Sequence, residues 1–178
     1  MKGDQHQIKK ATEEIGASVG NAKSKEYQQM LQKAAQGSTP KDAMGLTDAM
    51  VEGIYGQAYR LYNTGKYKDA SQLFRLLIML NTTEPKYAMG LAACFHMLKE
   101  YRSAVDTYTI VSMVNPENPV PFFHASDCMI QMGDNASAII ALEMAIKRSG
   151  EKPEFRTLKD RALLTIQSLK KEAPHVQK

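Results

Sequence analysis

Three tyrosines, Tyr55, Tyr59 and Tyr62, stand at i, i+4 and i+7, a spacing that lines side chains along one face of an α-helix. A row of rings with hydroxyl tips combines broad apolar contact with hydrogen bonding, which suits gripping another polypeptide. Ile54, Ala58 and Leu61 in the same stretch already supply a core-facing side, so the tyrosines need a second surface to cover. A different grouping, His124, Asp127 and Cys128, places an imidazole and a thiol at i and i+4 with a carboxylate between them. Taken alone it resembles a thiol nucleophile or half of a metal site. No nucleophile elbow, phosphate-cradling glycine loop or carboxylate pair accompanies it, and two cysteines are too few for a four-thiolate zinc site. No catalytic residue, metal or cofactor is expected.

The elements that position these residues follow from a repeat of 34 residues. Ala70, Ala104 and Ala138 share one column, Ala58, Ala92 and Ser126 a second, and Phe74, Tyr108 and Leu142 a third. Gly65, Lys99 and Gly133 mark a turn in each unit. The units are 51–84, 85–118 and 119–152. Each reads as two helices of about 13 residues, roughly 20 Å long at 1.5 Å per residue. Pro40, Pro85, Pro119 and Pro153 fall at helix starts, where a missing N–H costs nothing, with Thr39 and Asn118 as caps. Small residues allow two helices to cross closely, and the large residue of the third column fills the space beside them. The pattern resembles the tetratricopeptide repeat, which implies an all-α superhelix of three helix-turn-helix units with a concave groove lined by the first helix of each pair.

Flanking segments close the array. Residues 153–178 read as a capping helix and basic tail, with Phe155, Leu158, Ala162, Leu163, Ile166 and Leu169 at helical spacing. Residues 37–50 read as a short capping helix from Pro40 to about Ala49. Residues 1–36 form an arm, weakly helical at first and then helical over Glu26 to Ala35. Within the array, the fifth, ninth and twelfth residues of each first helix point into the groove. These are Tyr55, Tyr59 and Tyr62, then Met89, Ala93 and His96, then Phe123, Asp127 and Ile130. The carboxylate clamp that grips acidic C-terminal tails is excluded, because its lysine, asparagine and arginine positions hold Tyr55, Tyr59, Gly90, Val120 and His124. The groove should prefer an extended apolar or proline-containing segment. The column shared by Cys94 and Cys128 reads as structural, since Gly90 replaces the histidine one repeat earlier.

The net charge of +4 invites a nucleic-acid reading, but its distribution opposes one. Residues 1–50 carry +1, residues 51–146 carry −2 and residues 147–178 carry +5. The repeat body has no cationic stripe to neutralise a row of phosphates, and the basic tail reads as a solvated outer face. The stretch after Met1 leads into no apolar run, so neither a secretory leader nor a membrane span is expected. Two cysteines fit a reducing compartment.

Three blocks narrow the resemblance: Ile54 to Tyr67, Met89 to Cys94, and Phe123 to Cys128. Together they resemble the class II chaperones of bacterial type III secretion over about Met44 to Phe155, departing at Phe122 and in the N-terminal arm. The resemblance implies a cytoplasmic, non-enzymatic chaperone that keeps hydrophobic translocator proteins soluble by holding a short extended segment in the concave groove. It implies dimerisation through N-terminal helices. By position it carries groove roles to Tyr55, Tyr59, Tyr62, Tyr67 and Tyr108, with Tyr101 in the column of Tyr67; Met89, His96 and Phe123 come from repeat geometry. On this reading Tyr55→Glu or Tyr108→Glu abolishes partner binding and leaves the fold intact. The alternative is a generic repeat scaffold that joins soluble partners.

Overall fold

A computed structural model describes residues 40–172; the arm of residues 1–36, the Thr39 cap and the end of the basic tail lie outside the described residues. The chain divides into two units between Thr47 and Asp48. In the first, α1 spans only Pro40–Ala43. Gly45 turns left-handed at φ 68°, and Leu46 N–H donates back to Lys41 O at 3.0 Å, which ends the helix. The helix expected to run to Ala49 therefore stops six residues early, and the next one starts at Asp48.

Among the described residues the second unit is helical throughout its regular structure. In order come α2 (Asp48–Asn63), α3 (Tyr67–Leu80), α4 (Pro85–Met97), α5 (Tyr101–Val114), α6 (Val120–Gln131) and α7 (Asn135–Ser149). A 3-10 turn over Pro153–Phe155 then leads into α8 (Arg156–Glu172). From α2 onwards consecutive helices pack on one another, while α2 also meets α4 and α8 also reaches α6. Short turns joining successive helices give this order, which is that of stacked helical hairpins.

The same turn recurs three times for a common reason. Gly65, Lys99 and Gly133 all have positive φ, at 78°, 63° and 77°. In each case the following residue donates to a carbonyl five positions back: Lys66 to Leu61, Glu100 to Phe95 and Asp134 to Met129, all at 2.9 Å. This closes the orphan carbonyls at the end of α2, α4 and α6. Helix starts are equally regular. Pro85 opens α4 behind Glu84, whose Oε1 accepts from Lys86 N–H; Pro119 precedes α6, and Asn118 Oδ1 accepts from Val120 N–H at 3.0 Å.

The repeat columns form the core. Ala58, Ala92 and Ser126 are fully buried, as are Ala70, Ala104 and Ala138, and Phe74, Tyr108 and Leu142 are buried beside them. At the C-terminal end α8 lays Ala162, Ile166 and Leu169 against Leu142, Ala145 and Phe123. It thus covers an apolar face that would otherwise meet water. Leu163, expected on that buried side, is exposed.

Candidate functional site

The tyrosine row opens onto a hollow of about 410 Å³ between α2 and α4. Tyr55, Tyr59 and Tyr62 form one wall, Met89, Gly90 and Ala93 the other, and Phe74 and Val111 reach in from the second helices. Four of the expected groove residues, Tyr55, Tyr59, Tyr62 and Met89, therefore line one cavity. Tyr55 stacks on Tyr59 with ring centroids 6.4 Å apart, and meets Phe74 edge-on at 6.2 Å and Tyr87 at 5.8 Å. Tyr59 is 54% exposed, its ring left facing solvent. Tyr67 is absent from the cavity wall, but its ring meets Tyr62 edge-on at 5.3 Å and supports it. Burial holds the Tyr62 hydroxyl above its usual pKa, with smaller contributions from Cys94, Tyr67 and Tyr59, so it stays a neutral donor.

Phe74 is part of this wall only because Gly90 has no side chain. A Cβ at residue 90 would lie 2.3 Å from Phe74 Cε1, inside the ring's van der Waals envelope. The glycine is therefore a window through which a core ring becomes the floor of the cavity.

A second set gathers on α4, α5 and α6. His96 on α4 meets Tyr101 edge-on at 6.0 Å. His124 on α6 stacks on Tyr108 at 5.7 Å, and its Nδ1 lies 3.8 Å from Asp127 Oδ2. Burial lowers the pKa of His96, while the Asp127 charge pulls it up and His124 pushes it down. Tyr108 is 2% exposed and its hydroxyl pKa is raised by burial, so its ring is part of the core. A Tyr108→Glu change would bury a charge, so the expectation that it spares the fold is corrected here. Phe123 also departs from its expected place. It is 6% exposed and packed among Leu142, Ala162, Ile166 and Leu169, with the Arg161 guanidinium 5.2 Å from its ring centroid. The capping helix claims it.

Lys86 lies outside the expected groove set, yet its Nζ sits 4.7 Å from the Tyr55 ring centroid and 3.1 Å from Glu52 Oε2. The hydrogen bond to Glu52 is the main reason its pKa is raised. Glu52 and Lys86 are 34 residues apart, so the repeat register itself brings them together, and opposite charges in one column were the available signal. Cys94 and Cys128 are free and fully buried. Burial pushes both thiols up to about 11, far from thiolate at neutral pH. The His124–Cys128 pair therefore holds no activated nucleophile. Among the described residues no group of three or more His, Cys, Asp or Glu side chains is arranged to hold a metal, and no helix is long and apolar enough to cross a membrane.

A second apolar hollow of about 260 Å³ lies between α5, α6 and α7, lined by Tyr108, Phe122, Met129, Ile140 and Met144 among others.

Comparison with known proteins places these features in a wider group. The tetratricopeptide repeat family model matches residues 51–81 and 85–110. The chain is 33% identical over 127 residues to low calcium response locus protein H of Yersinia pseudotuberculosis, covering 70% of this chain and 76% of that one. It is 31% identical over 136 residues to chaperone protein SicA of Salmonella dublin, covering 76% and 80%. The crystal structure of the type III secretion chaperone SycD of Yersinia enterocolitica, in complex with a peptide of the translocator YopD, superposes with a TM-score of 0.67. It is 30% identical, with 70% of this chain and 95% of that one covered.

Proposed function

The chain belongs to the family of type III secretion translocator chaperones, and from that premise we propose that its groove holds an extended apolar segment of a hydrophobic translocator protein. The observation that carries this reading is the cavity between α2 and α4, walled by stacked tyrosines and floored by Phe74, with Tyr59 presented to solvent. The SycD relative holds a translocator peptide. Side chains of such a segment drop alternately into the cavity, as in an extended strand, while tyrosine hydroxyls meet its backbone polar groups.

The reading is of a protein that works by mass action and without chemical turnover. A membrane-active client aggregates or inserts if its apolar segments are free, and a partner that binds the soluble form shifts that balance. Anchoring by a few rings on an open wall keeps the complex releasable at the export apparatus. The working compartment is the bacterial cytoplasm, where the client is made and held. We assign three repeats to 51–84, 85–118 and 119–152, closed at the C-terminal end by 153–178, with residues 1–36 serving homodimerisation.

The test is co-expression with the client. Tyr59→Glu places a charge where the ring is exposed, so the client is lost from the complex while circular dichroism and melting stay unchanged. Undiminished client recovery with Tyr59→Glu would overturn the assignment.

A further inference from the structure

We infer that the groove carries a polar subsite beyond its aromatic cavity, built on Asp127 with His96 and His124, which takes the guanidinium or ammonium of a basic side chain on the bound segment. This rests on the groove being the client site.

Asp127 occupies the repeat column of Tyr59 and Ala93, both of which line the cavity, so it stands one repeat further along the same concave surface. Its side chain is 37% exposed. Among the described residues the only ion-pair partner within reach is His124 Nδ1 at 3.8 Å, and no lysine or arginine pairs with it. The Asp127 charge is felt at His96 on α4, which burial keeps towards its neutral form. Lys86, at the cavity end, is already matched by Glu52. Asp127 thus has a histidine beside it and no full cation.

An apolar segment laid across both repeats would strip water from this carboxylate and give nothing back. A basic residue at that register compensates it, and an acidic one is repelled. The surrounding rings favour a planar cation. Tyr108, itself buried, stacks on one face of His124 with planes 25° apart, and the His124 side chain is 40% exposed, so an arginine has a carboxylate to fork onto beside a flat imidazole. The subsite therefore fixes the register of a segment whose apolar anchors alone could slide by two residues.

The experiment uses the full-length protein and fluorescent peptides. The parent alternates Val or Leu with Ser around one Pro, and each Ser is replaced in turn by Arg, by citrulline as its neutral isostere, or by Glu. Anisotropy titrations are run with the unaltered protein and with Asp127→Asn. At one register Arg binds about fivefold or more tighter than citrulline, a gain expected of a charge pair partly screened from water. Glu binds weakest there, and Asp127→Asn removes the difference while still binding the parent. If the parent binds but Arg and citrulline are equal at every register, or if the preference survives Asp127→Asn, the subsite is refuted and the groove reading stands. If the parent binds neither protein, the groove reading fails and the subsite fails with it.

Discussion

Gly90 and Phe74 show how one missing atom shapes the cavity. Placing a methyl group 2.3 Å from the Phe74 ring forces that ring, 2% exposed, out of its packed position. Gly90→Ala is expected to cost about 1–3 kcal/mol of stability by overpacking and to weaken client binding, measured by thermal melts and titration. Adding Phe74→Leu should recover part of the stability without restoring binding, since the cavity floor is gone. His96 gives a prediction in pH. Burial sets its folded-state pKa below the ordinary value, so the unfolded chain takes up the proton first. The stability contributed by neutral His96 is therefore present above about pH 6.5 and lost as pH falls below it. Asp127, His124 and Tyr101 face the same ring. Melting curves between neutral and mildly acidic pH should show a decline that His96→Gln reduces. Individual side chains were the least legible part of the sequence. The Tyr55, Tyr59 and Tyr62 row could be read because its spacing is local. Phe123 could not, because its side is decided by α8, which packs on it from 40 residues away in sequence.

The turn between helices tests the account at the scale of elements. Gly65 and Gly133 adopt left-handed backbone at little cost, but Lys99 does so with a Cβ, at φ 63°. The hydrogen bonds of that turn, Lys99 to His96 and Glu100 to Phe95, hold it there. Lys99→Gly should raise stability by about 0.5–1 kcal/mol, the strain relieved less the entropy a glycine adds to the unfolded chain. Chemical denaturation with an unchanged slope would confirm it. Elements of this kind were the most legible, because three copies of one pattern reinforce each other: the three turn positions share one conformation and the alanine columns are uniformly buried. The non-repeating segment before them was harder to place. Nothing around Pro40 repeats, so local spacing alone carries the expected helix on to Ala49 across Gly45, whose left-handed turn ends it after Ala43.

At the scale of the repeat unit from Asp48 onwards, first helices and second helices present different chemistry. The first helices offer the tyrosine-walled cavity. The second helices leave Met79, Ile110, Met113 and Ile140 exposed. The charge that invited a nucleic-acid reading resides largely in the stretch from Lys147 onwards, while the cavity wall carries Glu84 and Lys86, the latter matched by Glu52. Removing α8 would uncover Phe123, Leu142 and Ala145, so a chain ending at Gly150 should aggregate and melt earlier, as light scattering and calorimetry would record. The central claim is that the client lies along the first helices. It is tested most directly by placing the photo-crosslinking residue p-benzoylphenylalanine at position 59 or at position 110 of the full chain, in cells that make the client. Crosslinking at 59 to an extended segment of a hydrophobic translocator, with none at 110, is the predicted result. Crosslinking at 110 and none at 59 would contradict it.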